Sequence, residues 1–329
     1  MSTDGPRILL TGAGFTHNFG TPLADGMWAY LFSHPQIQSN PKLRGLLLDT
    51  FDFEDIYQQV VEGDYEPSEK QAIAAAIRGA YNAIDTTVRE YGPGSGQTHH
   101  GVQLLISRFA RPDFGDCFFT VNQDLFIERQ YRFPGRQFTW PGIVTRREWT
   151  SAFWNARLEN DDYSSLPTDE ALQKRKESDL SGGSPVYVKL HGSQNWLDSS
   201  GQQKLVIGGP LGKHAQIQQE PLLLWYLELF RQAVAREGTR LLVIGYGFRD
   251  KHINSVLADA AETHALALHV LSPEAPKDFV ARLRALPHGA EIVQALSGYY
   301  PHSLTEVLPP SGGDSPAKHL LWNGFFGEE

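Results

Sequence analysis

Cysteine is nearly absent from this 329-residue chain: Cys117 is the only one. No disulfide framework and no cysteine-built zinc site can form from a single thiol. Positive charge is also scarce. Lys and Arg number 29 against 38 Asp and Glu, giving a formal net charge of −9 and a sequence pI near 5.7. An autonomous nucleic-acid surface needs clustered cations for its phosphate contacts, so direct nucleic-acid binding is not expected. The cluster Lys174-Arg175-Lys176 is offset at once by Glu177 and Asp179 and reads as a solvated face. No apolar run approaches the roughly 20 residues that cross a bilayer, and no charged-then-apolar leader pattern opens the chain. Together these absences predict a cytoplasmic protein with no membrane association.

What is present is an ordinary globular composition, 41% hydrophobic and 20% charged, enough to bury a large core. Short apolar runs alternate with helical segments, the pattern of an α/β protein. The runs are Ile8-Leu9-Leu10, Cys117-Phe118-Phe119-Thr120, Leu241-Leu242-Val243-Ile244, Leu266 to Leu271 and Ala290 to Ala295, the last expected as the final strand. Val186 to Leu190 reads as an alternating strand, and Leu205 to Gly209 as a short strand or hairpin edge. The expected fold is a Rossmann-like parallel sheet with helices on both faces, in one domain over 1–329. A helical insertion is expected over about 40–110 and an irregular one over about 136–184. A Pro, Gly and Ser rich segment, 309–314, opens a tail over 309–329 and is expected to be mobile. The aromatics at 320–326 are expected to be exposed and able to dock on another subunit. Trp140, Trp149 and Trp154 read as packing residues, since no basic groove surrounds them.

Chemistry concentrates where strands end. After Ile8-Leu9-Leu10-Thr11 comes Gly12-Ala13-Gly14-Phe15-Thr16. Its glycines permit a tight turn and close approach of a ligand, and a helix starting there aims amides at phosphate. It departs from the dinucleotide fingerprint G-x-G-x-x-G, because His17 stands where the third glycine belongs. Thr120-Val121 leads into Asn122-Gln123-Asp124 at the carboxyl end of a strand, where open α/β sheets bind ligands; the same residues also serve as helix caps. Leu190 delivers His191-Gly192-Ser193, an imidazole placed to face a cleft and act as base. Lys213 invites a phosphate-loop reading that fails, since Ile207 and His214 stand where glycine and Ser or Thr are required. Gly245-Tyr246-Gly247-Phe248-Arg249-Asp250 repeats the design of strand, glycine loop and helix.

Taken in order, Gly12-Ala13-Gly14, then Thr120-Val121-Asn122-Gln123-Asp124, then Leu190-His191-Gly192-Ser193 resembles the sirtuin family. The resemblance implies that the glycine loop holds the phosphates of NAD as substrate. It also implies that Asn122 positions the attacking water or ribose, Asp124 holds the nicotinamide carboxamide, and His191 removes a proton. Thr16 stands near the place of a serine usual in that family. The remaining nucleotide contacts it implies are Phe15, Thr120, Gly192, Ser193, Gly245, Tyr246, Gly247 and Asp250. Sirtuins that deacylate lysine follow their His-Gly with four zinc-binding cysteines; no cysteine follows His191. The resemblance is therefore nearer to the bacterial sirtuin-like branch of anti-phage defence, whose members hydrolyse NAD, and in which Gly245 to Asn254 also looks like a family segment. It implies an NAD glycohydrolase without a metal. It implies further a homo-oligomer or a regulatory partner such as a hexameric DNA-translocating ATPase or an Argonaute-type protein. Two alternatives are a zinc-free protein deacylase and a non-catalytic nucleotide-sensing or scaffold subunit.

Overall fold

The computed structural model describes residues 5–90, 97–111, 114–130, 138–143, 164–180, 185–198, 200–201, 203–208 and 210–327. Nine strands lie among them: β1 (Arg7–Thr11), β2 (Cys117–Thr120), β3 (Ser164–Ser165), β4 (Val186–Lys189), β5 (Gly192–Leu197), β6 (Gln203–Leu205), β7 (Arg240–Ile244), β8 (Ala267–Leu271) and β9 (Leu296–Tyr300). Six of them form one sheet in the order β4-β2-β1-β7-β8-β9, every neighbouring pair parallel. β3, β5 and β6 form a small second sheet.

Numbered along the chain within the large sheet, the order is 3-2-1-4-5-6. That is the doubly wound, Rossmann-type arrangement, and its direction reverses between β1 and β7. Folds of this order take their ligands at the carboxyl ends of the strands around that reversal.

Period-two side-chain alternation explains the continuous apolar runs. Ile8, Leu10, Cys117, Phe119, Val186, Val188, Leu241 and Val243 share one core. Leu9, Phe118, Tyr187 and Leu242 belong to the other. Both faces of the sheet are thus buried, as parallel sheets require. On the first face pack the helices Pro221–Val234, Lys251–Thr263, Pro276–Arg284 and Gly289–Gln294. On the second pack the helices that connect β1 to β2, chiefly Ala24–Ser33, Pro41–Asp49, Phe53–Glu62, Pro67–Glu90 and Gln97–Ser107. Pro67–Glu90 presents Ala72, Ile73, Ala76, Ile77, Ala80, Ile84 and Val88 at three- and four-residue spacing, a single apolar stripe. Asp52 caps Phe53–Glu62, its Oδ1 accepting from the Glu54 amide at 3.0 Å, worth about 1 kcal/mol. The cap fixes where the first turn of that helix points.

Several sequence expectations change. Ala290–Ala295 is not the last strand: Gly289–Gln294 is helical, and the strand follows at β9. An apolar run this short fits either period, and the turn at His288, whose φ is 62°, selects the helix. The expected alternation across Val186–Leu190 is absent, because β4 is buried throughout, Lys189 included. The tail aromatics are not displayed to a second subunit. Leu321, Phe325 and Phe326 are buried within the chain, and only Leu320 is exposed among the large apolar residues there. Arg240 donates to the Gly324 carbonyl at 2.7 Å and stacks over Phe325, while Arg7 stacks over Phe326. Residues 309–314 include a turn closed by the Gly312 amide on the Pro309 carbonyl. Of the irregular insertion, residues 136–137, 144–163 and 181–184 lie outside the described residues, Trp149 and Trp154 with them, as does Gly209. Trp140 packs against Tyr187. No helix among the described residues is long and apolar enough to cross a membrane.

Candidate functional site

The two glycine loops meet backbone to backbone at the carboxyl ends of β1 and β7. The Gly12 amide donates to the Ile244 carbonyl at 3.1 Å, and the Gly14 amide to the Gly245 carbonyl at 2.9 Å. A Cβ on Gly14 would lie 2.8 Å from the Gly245 Cα, and one on Gly245 only 2.1 Å from the Phe15 nitrogen. Gly245 also has φ +69°, a conformation costly for residues with a Cβ. The loop contact itself therefore requires these glycines, a reason that loop-by-loop sequence reading does not supply. At Gly247 an added Cβ would meet nothing nearer than the Arg249 Cγ at 3.9 Å.

Onto this platform β2 delivers Asn122. Its Nδ2 donates to the Gly12 carbonyl at 3.0 Å and to the Thr16 Oγ1 at 3.3 Å. A carbonyl only accepts, so the amide orientation is fixed by the network. No described residue donates to Oδ1, which is left as the free acceptor of a half-buried side chain. Thr16 in turn donates to the Asp124 Oδ2 at 3.2 Å. The other Asp124 oxygen accepts from the Phe126 amide at 2.9 Å, so Asp124 is a helix cap as well as a member of the chain Asn122-Thr16-Asp124. Burial, the largest influence, raises its carboxyl above the ordinary carboxylate range. Lys189 braces the loop from below through the Asp124 carbonyl and Glu128, the latter at 2.8 Å. Thr120 joins Thr11 hydroxyl to hydroxyl at 2.9 Å and receives the Asn122 amide.

His191 sits on the neighbouring loop after β4, which is tied to the β2 loop by the Leu190 amide on the Thr120 carbonyl and the Gln194 amide on the Gln123 carbonyl. Its side chain makes no hydrogen bond with Asn122 or Asp124. Its Nε2 lies 2.9 Å from the Nε2 of His252. Behind the two imidazoles stands a buried charge chain: Lys213 contacts Asp250 at 2.8 Å and Glu54 at 2.8 Å. Burial pushes His191 down to about 3 and His252 to about 4, against the upward pull of Asp250 on each. Burial would raise the Asp250 carboxyl, but the His191 ring and the Lys213 ammonium outweigh it and hold it at about 2. For Lys213 burial opposes the charge, and the two carboxylates overcome it and raise the ammonium. Glu54 is pushed by burial to about 7 despite Lys213.

The other residues expected to contact the nucleotide lie around this platform. Phe15 is fully buried against Phe19 and Phe126, and Tyr246 is buried with its hydroxyl on Asn254 at 3.3 Å. Gly192 turns the chain at φ +79°. Ser193 is fully buried and its Oγ has no hydrogen-bond partner among the described residues. Ala13 opens the short helix Ala13–His17. Sequence reasoning missed Glu54, Lys213 and His252. Lys213 had drawn notice through the wrong motif, His252 lay unassigned in a segment already singled out, and Glu54 carries no local signal beyond its place after a cap.

The model of the SIR2-like domain family matches residues 116–285, just over half of the chain. The chain belongs to the SIR2-like family. The matched span holds Asn122, Asp124, His191, Lys213, Asp250 and His252, whereas the first glycine loop and Glu54 lie outside it. Among solved structures, a Sir2 homologue in mutant form complexed with ADP-ribose aligns over 97% of this SIR2-like chain and 93% of its own, at 13% identity and a TM-score of 0.45. No curated protein matches the sequence.

Proposed function

We propose that this SIR2-like protein hydrolyses NAD to ADP-ribose and nicotinamide, and that it does so as an anti-phage effector that depletes the dinucleotide. The observation that carries the reading is the meeting of the first glycine loop, Asn122 with Asp124, and the loop of His191 at the carboxyl edge of one doubly wound sheet, in a chain of this family. In the reaction the bond between the ribose carbon and the nicotinamide nitrogen breaks, and its electron pair neutralises the cationic ring. Water bonds to that carbon and gives up a proton. The leaving group needs little acid help, so positioned hydrogen bonds carry most of the burden.

The free Oδ1 of Asn122 suits a group that donates a hydrogen bond, water or a ribose hydroxyl. Asp124 would face the carboxamide, and a neutral His191 is in the protonation state a base requires. Activity of this kind must be restrained in the cell. The proposal therefore includes a regulatory partner, a DNA-translocating ATPase or Argonaute-type protein, or self-assembly.

Purified protein is incubated with NAD over a wide range of protein concentration, with and without acylated peptide, and nicotinamide is measured. Release without peptide supports hydrolysis, and Asn122→Ala should then lower the rate roughly 10²-fold or more at unchanged fold. Release only with peptide, or binding without release, overturns the reading in favour of a deacylase or a nucleotide-sensing subunit. Full activity from a strict monomer would remove the regulatory part.

A further inference from the structure

His191 and His252 meet ring nitrogen to ring nitrogen. Two ring nitrogens 2.9 Å apart must share one proton, one donating and one accepting. The Val121 backbone acts on the His191 ring as an acceptor does, favouring a proton on the side that faces it. With Nε2 turned to His252, that proton belongs on Nδ1, and Nε2 carries the lone pair. His252 is then the donor at its own Nε2, and its Nδ1 is left bare. That Nδ1 is buried with no partner among the described residues, so no other contact fixes the tautomer of this ring.

The surroundings keep both rings neutral. His252 occupies the first turn of the helix Lys251–Thr263, whose positive end disfavours an imidazolium. Asp250, from the turn before that helix, pulls the other way and is itself neutralised by Lys213 of the helix Pro210–Gln219. Glu54 reaches the same ammonium from the helix Phe53–Glu62, and the His214 ring lies 6.4 Å from that of His252.

We propose that His252 is a positioning residue of the site: by donating Nε2–H to the Nε2 of His191 it fixes the tautomer and plane of that imidazole, so that its single basic nitrogen is ready when a substrate proton replaces the His252 proton. The role rests on the hydrolase reading, which assigns His191 as base. A ring already held in the working tautomer needs no rearrangement during the reaction, and losing such an orienting partner costs about 10- to 100-fold in activity in comparable second-layer contacts.

The test compares His252→Gln, whose amide keeps a donor, with His252→Leu, which has none; His252→Ala replaces the leucine form if that form does not fold. With NAD as substrate, His252→Leu should lower kcat about 10- to 100-fold with KM changed less than about threefold, and His252→Gln should recover most of that loss. Nitrogen-15 spectra of the imidazoles should show His191 protonated at Nδ1 in the wild type and in His252→Gln, and a mixture of tautomers in His252→Leu. A kcat in folded His252→Leu equal to or above wild type overturns the proposal. So does a glutamine form no better than the leucine form, or a His191 tautomer indifferent to both changes. If wild type releases no nicotinamide, the hydrolase reading fails by that result, while the nitrogen spectra still decide whether His252 sets the His191 tautomer.

Discussion

Replacing Lys213 by Met removes the one ammonium that stands between Glu54 and Asp250, at 2.8 Å from each. The side chain is 8% exposed, so water cannot take over its role. Asp250 titrates near 2 in the fold against an ordinary 3.8. A depressed carboxylate contributes stability that is complete above pH 3.8 and disappears as pH falls through about 2, here about 2–3 kcal/mol. Glu54 has the opposite sign. Raised from 4.5 to about 7, its ionised form costs stability above pH 7, and that cost vanishes below pH 4.5. Stranding both carboxylates at pH 8 should therefore cost about 3–5 kcal/mol, the usual penalty for removing one partner of a buried pair. On acidification to pH 5.5 Glu54 takes up its proton, and the loss should shrink towards the Asp250 share. Urea unfolding of wild type and Lys213→Met at the two pH values measures this, with Lys213→Met/Glu54→Gln expected to recover part of the loss at pH 8. A penalty below about 1 kcal/mol at pH 8, or one that grows on acidification, would show that the lysine does not bridge these carboxylates in solution.

The glycine loops make a paired prediction: Gly245→Ala, with a Cβ against the Phe15 nitrogen and φ +69°, should cost more than about 3 kcal/mol, whereas Gly247→Ala should shift the thermal midpoint little. Thr16→Val takes the hydroxyl from both Asn122 and Asp124 and should destabilise by about 1–3 kcal/mol and slow nicotinamide release, with Thr16→Ser close to wild type. If the valine form keeps full stability and rate, the Asn122-Thr16-Asp124 chain does not hold the site. Phe325→Ala should cost about 3–5 kcal/mol in urea unfolding, because its ring is fully buried against Phe109 and His269. A near-neutral result would mean the tail is not part of the core.

Strands β1, β2, β7 and β8 were legible because a strand buried on both faces is apolar at most positions, and the runs of β1, β2 and β7 lead directly into chemistry-bearing residues. Parallel pairing was expected from continuous apolar runs alternating with helical segments, whereas the strand order leaves no pairwise signal in the residues. Asn122, Asp124 and His191 could be found because each follows such a strand directly. Glu54 could not, since its link to the site is a contact with Lys213, 213 − 54 = 159 residues further along the chain, and no local pattern encodes it. The strand expected at Ala290–Ala295 failed for a different reason, a short apolar stretch whose buried Ile292 and partly buried Val293 suit one helical turn as well as a pleat. The tail aromatics were misplaced because exposure was judged without knowing that Arg7 and Arg240 wait at the start of β1 and β7 to cover them.

The strand order also sets a timetable for synthesis. β1 leaves the ribosome first, yet its neighbour on one side, β7, is not made until residue 244, and the amides of Gly12 and Gly14 have no acceptor until Ile244 and Gly245 arrive. Pairings so distant in sequence close slowly. A nascent or truncated chain lacking the last third therefore holds Asn122 and His191 without the loop that locks the first glycine turn or the imidazole that faces His191. Until the last third is made, the carboxyl edge of the sheet is therefore unfinished at its centre.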